Sequence, residues 1–269
     1  TVTDSGLLQE QMRALRIQKK RIGFVPTMGF LHEGHLSLMK RARLECDHLV
    51  VSIYVNPLQF GANEDLATYP RDHEGDAQKC EGEAVDTLFL PSKLYHPDHS
   101  TTVSVTGLTK GLCGATRPGH FDGVTTVVAR LFGLVQPHTA IFGEKDYQQL
   151  AVIRRMVRDL SMDIDVIGGP LVRDADGLAL SSRNKYLSPV ERERALSLHR
   201  SLQAIRDHVS PSSRVRIDAA QRNLQVDRLD YLEIVDPVSL QPLQEIEGPA
   251  RTLVAGWIGT TRLIDNMAI

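Results

Sequence analysis

From residue 5 to residue 21 the apolar side chains Leu8, Met12 and Leu15 recur on one helical face, and Lys19, Lys20 and Arg21 gather at the end. That spacing predicts an amphipathic helix. Residues 22–25 (Ile-Gly-Phe-Val) form a short apolar run that Pro26 is expected to stop. A turn rich in glycine and histidine, residues 27–35, leads to a second helical pattern at Leu36, Leu38, Met39 and Ala42. Residues 49–55 are then almost continuously apolar, the pattern of a strand covered on both faces. Strand, glycine turn, helix and strand make a βαβ unit.

The alternation continues. Residues 77–83 read as helix, 87–90 as strand, 101–105 as a further strand, and 124–135 as a strongly apolar helix. Strand 140–142, helix 147–160 and strand 163–167 follow. Such alternation predicts an α/β fold: a Rossmann-like parallel sheet with helices on both faces. The texture changes near Gly168, Gly169 and Pro170. Ser188-Pro189-Val190-Glu191 spells a capping box with proline at the first helical position, opening a long charged helix to about residue 209. Short strands are expected at 229–235, 252–257 and 262–264. The predicted organisation is a sheet domain over residues 1–170 and a smaller C-terminal α+β domain over 171–269.

The chain has 269 residues, enough to bury a substantial core. Its 31 basic and 33 acidic residues nearly balance, so no basic field points to a nucleic-acid or membrane partner. An anionic ligand must be met by local cations and backbone N–H groups. The three cysteines, Cys46, Cys80 and Cys113, form no C-x-x-C pair, which argues against a disulfide framework or zinc ribbon and for reduced thiols in the cytoplasm. No run approaches membrane-spanning length, and no secretory leader is evident.

Four segments that could carry chemistry follow an expected strand or lie at the domain junction. The first, Pro26-Thr27-Met28-Gly29-Phe30-Leu31-His32-Glu33-Gly34-His35, sits where the first strand gives way to helix, the edge at which open α/β sheets bind ligands. Helix-start N–H groups attract phosphate, the glycines allow close approach, and His32 and His35 can face one spot. A solvated turn and a metal-binding pair remain alternative readings, although the spacing is not that of H-E-x-x-H. The second is Gly143-Glu144-Lys145-Asp146, with Lys145 as a mobile charge, Asp146 as a helix cap and Gln149 one turn on. The third is Leu180-Ser181-Ser182-Arg183, two hydroxyls and a guanidinium suited to phosphate oxygens. The fourth is Asn56 and Gln59, either side of Pro57, where neutral amides can hold a hydroxyl or carboxylate. A fifth candidate is the loop from Arg117 through His120 to Gly123, ahead of the apolar helix.

In order and context these segments, together with Tyr69-Pro70-Arg71, resemble those of the pantothenate synthetase family. The resemblance covers nearly the whole chain, is strongest over residues 22–187 and is weak in the last fifty or so. The H-x-G-H element is also similar to the signature of the wider nucleotidyltransferase superfamily. The resemblance implies condensation of (R)-pantoate with β-alanine driven by ATP, through a pantoyl-adenylate, with release of AMP and pyrophosphate. It implies an ATP site of Met28–His35 (Met28, Gly29, Phe30, Leu31, His32, Glu33, Gly34, His35), Gly143, Glu144, Lys145, Asp146, the backbone of Val172, and Leu180, Ser181, Ser182 and Arg183. His35 is implied as proton donor with His32 beside it, and Lys145, Ser182 and Arg183 as charge-stabilising groups. Gln59 would hold pantoate and help place β-alanine, Gln149 would hold pantoate, and Asn56, Arg117 and His120 would lie near substrate. A mobile C-terminal lid, a homodimer, and Mg²⁺ carried mainly by ATP phosphates rather than by a dedicated metal site are implied as well.

Overall fold

In the structure, a computed structural model describing residues 1–62 and 64–269, the elements run in chain order as follows. They are α1 (Ser5–Ile17), β1 (Ile22–Thr27), α2 (Glu33–Arg43), β2 (His48–Ile53), α3 (His73–Gly82), β3 (Thr87–Phe89), α4 (Leu112–Thr116), α5 (His120–Val135), β4 (Thr139–Gly143), α6 (Tyr147–Asp159), β5 (Asp165–Gly169), α7 (Pro189–Asp207), α8 (Ser213–Gln221), β6 (Arg228–Val235), β7 (Arg251–Ile258) and β8 (Thr261–Ala268). The chain divides into two compact units: Thr1–Thr106, Arg117–Glu144 and Gln149–Pro170 form the first, and Gly107–Thr116, Lys145–Gln148 and Leu171–Ile269 the second. Residues 107–116 and 145–148, expected within the first domain, therefore group with the second.

The first unit is built on a parallel five-stranded sheet of order β3-β2-β1-β4-β5. The strand order reverses direction between β1 and β4, which makes the carboxyl ends of those strands the topological switch point. Alternate residues of each strand face opposite sides. Val25, Val51 and Ile141 face one core with Leu38, Met39 and Ala42 of α2 and Cys80 of α3. Phe24 packs instead on Phe132 of α5, with ring centroids 6.3 Å apart, and Phe132 touches Phe142 of β4. Both faces are thus covered, as the unbroken apolar runs anticipated.

Four expectations change. Pro26 does not stop β1; it lies inside the strand opposite Ser52, and tolerates this because pairing to β4 is limited to Gly23 and Phe24. α2 begins at Glu33, not Leu36, because His32 caps it. Residues 101–105 form no strand: the Val103 N–H donates to Thr126 Oγ1 at 3.0 Å and the Val103 carbonyl accepts from Thr125 Oγ1, so helix hydroxyls replace a neighbouring strand. β5 covers Asp165–Gly169 rather than residues 163–167, running through the two glycines where the texture changes. A Cβ on Gly169 would lie 2.2 Å from Leu38 Cδ2, so glycine there admits α2.

In the second unit an antiparallel sheet of order β6-β7-β8 carries α7 and α8. Its core joins Leu198, Leu202 and Ile205 of α7 to Val254, Ile258 and Leu263 of β7 and β8. The expected capping box forms: Ser188 Oγ accepts from Glu191 N–H at 3.3 Å and Glu191 Oε2 accepts from Ser188 N–H at 2.9 Å. α4 and α8 were not anticipated, and β8 extends well beyond the expected residues 262–264. No helix among the described residues is long and apolar enough to cross a membrane, and the three cysteines are unpaired.

Candidate active site

The turn after β1 is an arrangement of internally satisfied N–H groups. Gly29 (φ 86°) and Phe30 (φ 51°) are both left-handed, a costly conformation at the non-glycine position. Asp76 of α3 holds them there. It is fully buried, and its Oδ2 accepts from Phe30 N–H and its Oδ1 from Leu31 N–H, each at 2.7 Å. Gly29 N–H donates to Thr27 Oγ1 at 3.2 Å. His32 N–H donates to His35 Nδ1 at 3.3 Å, and Gly34 N–H to His32 Nδ1 at 3.2 Å, a reciprocal cap in which imidazoles replace the usual hydroxyl and carboxylate. His35 N–H reaches the His32 carbonyl at 2.7 Å.

Two consequences follow. The Phe30 and Leu31 N–H groups are not open to an anion, because Asp76 occupies both. From Gly29 to His35, only the Glu33 N–H, at the first helical position, has no acceptor among the described residues. The second concerns the rings, whose centroids are 4.1 Å apart. Each Nδ1 accepts a backbone N–H, so in the neutral tautomer each ring proton sits on Nε2. The paired histidines thus present Nε2–H donors at the start of an 11-residue helix, whose dipole also favours an anion.

A second cluster surrounds Gln59, in a 3-10 turn at Pro57–Gln59. Asn56, 1% exposed, fixes its polarity. The Gly123 carbonyl can only accept, so Asn56 must turn Nδ2 toward it, at 3.0 Å. Leu58 N–H can only donate, so it takes Oδ1, at 3.4 Å, and the Tyr95 hydroxyl adds a second bond to Oδ1 at 3.0 Å. The remaining Nδ2 proton goes to Gln59 Oε1 at 3.1 Å. Gln59 Oε1 is thereby committed, and its Nε2 faces Met28 Sδ at 3.3 Å. Thioether sulfur is a weak acceptor, so a substrate oxygen can displace it. Gln59 is an N–H donor by construction of its neighbours, placed against the residue that opens the histidine turn.

Arg117 and His120 serve the same group. Arg117 donates from Nε and Nη2 to the two oxygens of Glu64, at 2.7 and 2.5 Å, and from Nη1 to His120 Nε2 at 3.0 Å. The His120 proton then lies on Nδ1, which donates to the Gln59 carbonyl at 2.8 Å. Arg117 Nη2 donates to that carbonyl as well, at 3.3 Å. Asn56, Arg117 and His120, expected beside substrate, thus position Gln59: all four hydrogen-bonding positions of the Asn56 amide are filled from within the protein. Burial alone would push the Glu64 carboxyl up, but the Arg117 guanidinium outweighs it and holds the pKa below the ordinary glutamate value.

Gln148 and Gln149 diverge. Gln148 is buried and fully used, accepting from Cys113 N–H and donating to the Leu108 and Gly111 carbonyls, each at 2.9 Å. The half-buried Gln149 amide has no hydrogen-bond partner among the described residues, which suits a ligand-holding role.

Met28–His35, Asn56, Gln59, Arg117, His120, Gly143, Glu144 and Gln149 lie in the first unit, and Lys145, Asp146, Val172 and Leu180, Ser181, Ser182 and Arg183 in the second. Glu144, Lys145 and Asp146 form a single 3-10 turn leading directly into α6, in place of the expected simple aspartate cap. Leu180 N–H donates to the Val172 carbonyl at 3.0 Å across a hairpin that turns at Gly177 (φ 98°). Ser181 then caps the 3-10 turn Ser182–Tyr186 by accepting Arg183 N–H at 3.3 Å. Ser182 and Arg183 are therefore held on a short, hydrogen-bonded element. Asp76 and Glu64 escape sequence reasoning as site-shaping residues, since each acts from a distant segment.

Among the described residues no group of three or more His, Cys, Asp or Glu side chains could hold a metal ion.

Residues 1–268 match the family model described as pantoate-beta-alanine ligase. The pantothenate synthetase of Thermotoga neapolitana is 53% identical over 274 residues, covering 99% of this chain and 97% of that protein. The pantothenate synthetase of Desulfatibacillum aliphaticivorans is 49% identical over 276 residues, covering 100% and 98%. Among solved structures, pantothenate synthetase from Thermus thermophilus superposes with a TM-score of 0.94 at 48% identity, covering 99% and 98%. The pantoate-beta-alanine ligase from Francisella tularensis, complexed with beta-gamma ATP and beta-alanine, gives 0.82 at 34%, covering 99% and 96%.

Proposed function

Because the chain belongs to the pantoate–β-alanine ligase family, and so is a ligase of pantothenate biosynthesis, we propose that it joins (R)-pantoate to β-alanine through a pantoyl-adenylate. The observation that carries this reading is the Gln59 amide, oriented by Asn56 as a donor and set against Met28 at the opening of the histidine turn.

The pantoate carboxylate must be oriented without losing its nucleophilicity. A bidentate arginine would bind its lone pairs strongly. In this site the guanidinium of Arg117 is engaged by Glu64 and His120, and the groups that can reach substrate, Gln59 and Gln149, are neutral. In the first step a carboxylate oxygen attacks the α-phosphorus of ATP in line. The bond from that phosphorus to the bridging oxygen breaks, and pyrophosphate leaves. The Nε2–H donors of His32 and His35 and the charges of Lys145 and Arg183, with the Ser182 hydroxyl, stabilise the charge on the phosphoryl oxygens. His35 enters here as a hydrogen-bond donor through Nε2. In the second step the amine nitrogen of β-alanine attacks the acyl carbon, the bond to the phosphate oxygen breaks, AMP leaves, and the nitrogen loses a proton.

On the family resemblance, Mg²⁺ would take its oxygens mainly from the triphosphate and neutralise charge on the outer phosphates. The cysteine pattern favours a cytoplasmic setting, and the family resemblance alone suggests a homodimer.

The test is direct. The protein supplied with ATP, Mg²⁺, pantoate and β-alanine should release AMP, pyrophosphate and pantothenate in equal amounts. Without β-alanine it should exchange labelled pyrophosphate into ATP only when pantoate is present. Exchange that ignores pantoate, or formation of ADP, would refute the adenylate route.

A further inference from the structure

Lys145 carries a long flexible stem, and its ammonium meets only Asp146 Oδ2 at 3.8 Å among the described residues. A side chain so loosely tethered reaches a phosphate oxygen reproducibly only if its backbone is fixed. The backbone is fixed from β8. Asn266, 3% exposed, donates from Nδ2 to the Lys145 carbonyl at 2.9 Å and accepts the Arg251 Nε–H on Oδ1 at 2.8 Å. A carbonyl can only accept and a guanidinium can only donate, so the amide has one possible orientation.

The surroundings reinforce this bond. The Arg251 guanidinium also lies over the Tyr147 ring, 3.8 Å from its centroid, and the Tyr147 hydroxyl donates to the Pro237 carbonyl at 3.0 Å. The preceding residue, Asp265, takes both Nη groups of Arg173, at 2.6 and 2.9 Å, and receives Asn266 N–H at 2.7 Å. Arg173 follows Val172 directly. Two adjacent residues of β8 therefore hold the backbone at two of the candidate ATP contacts.

We propose that Asn266 is a positioning residue that fixes Lys145 for phosphate stabilisation, acting through the Lys145 carbonyl. The proposal rests on the reading of Lys145 as a phosphate-binding group. A buried amide bonded to both the Lys145 carbonyl and Arg251 restrains the Lys145 backbone, and a displacement of about 1 Å at a reacting centre can cost on the order of a hundredfold in rate.

The test is a double-mutant cycle on the full chain, read by pantoate-dependent ATP–pyrophosphate exchange. Asn266→Asp preserves shape and still accepts from Arg251 but cannot donate to the Lys145 carbonyl. Asn266→Ala serves as a second variant if the aspartate variant does not fold. Either should lower exchange about tenfold or more when Lys145 is present. Either should change it less than about twofold when introduced into Lys145→Ala, because there is then no ammonium to position. A melting curve identifies folded protein. Native exchange in a folded Asn266→Asp variant, or the same fold-loss in both backgrounds, would overturn the proposal, since an equal loss marks a purely structural role. If Lys145→Ala itself exchanges at the native rate, the phosphate reading of Lys145 falls, and the positioning role falls with it. That outcome is distinguished from the others by the single Lys145 variant.

Discussion

Gly123 should be the most sensitive small residue in the candidate site around Gln59. Helix α5 passes so close to the Gln59 turn that a Cβ at Gly123 would lie 2.3 Å from the Leu58 carbonyl oxygen, 2.4 Å from its carbon and 2.6 Å from Gln59 N. All three are backbone atoms, so no rotamer change relieves the contact. Gly123→Ala must separate helix and turn by about 1 Å to restore van der Waals contact, a displacement that at a reacting centre costs on the order of a hundredfold. The same movement stretches the 3.0 Å bond from Asn56 Nδ2 to the Gly123 carbonyl, which sets the orientation of both amides. Overpacking of this kind costs about 1–3 kcal/mol of stability, so the melting temperature should fall by several degrees while the protein remains folded. Pantoate-dependent exchange, measured at saturating ATP over a range of pantoate, should lose on the order of a hundredfold in kcat/KM, and the KM for ATP should change little. A folded Gly123→Ala protein with native kcat/KM for pantoate would refute the reasoning.

Other predictions follow from the same geometry. Gln59→Glu replaces the Nε2 donors with acceptors and should raise the KM for pantoate on the order of a hundredfold or abolish exchange, whereas an unchanged KM would deny Gln59 its donor role. Asp76→Asn leaves one buried backbone N–H of the Phe30–Leu31 pair facing an amide donor. It should cost about 1–3 kcal/mol in denaturant unfolding and lower adenylation, and native values for both would show that the turn holds itself. The depressed Glu64 pKa has a defined sign: the ion pair with Arg117 contributes fully above the unfolded carboxyl's value of 4.5 and is lost as pH falls through the lower folded value. Stability should therefore drop more steeply below that pH in the native protein than in Glu64→Gln, and parallel acid limbs would contradict the pairing.

The strand and helix order was legible because apolar periodicity is dictated by burial, and the sheet buries both faces. Residues 101–105 misled because Thr-Thr-Val-Ser-Val has the residue types of a strand, while its hydrogen bonds go to Thr125 and Thr126 on a helix. Periodicity cannot report such a partner. Pro26 misled in the opposite sense, since nothing local reveals that pairing to β4 ends two residues earlier. At the site, residue types and spacing pointed to the histidine turn and the two glutamines, but not to what holds them. Asp76 reads as one more acid in a charged helix, yet it is fully buried, 45 residues away from the Leu31 N–H that it accepts. The resemblance implies that Asn56, Arg117 and His120 lie near substrate, and it carries no information on what their side chains bond within the protein. Their hydrogen bonds show them filled by the protein and directed at Gln59.

Pantoate labelled with ¹⁸O in its carboxylate tests the chemistry most directly. Turnover with ATP and β-alanine should place one labelled oxygen in the phosphate of AMP, because the attacking carboxylate oxygen stays on phosphorus when the amide forms. Unlabelled AMP, with the departing labelled oxygen found in inorganic phosphate or in water, would contradict attack by pantoate on the α-phosphorus.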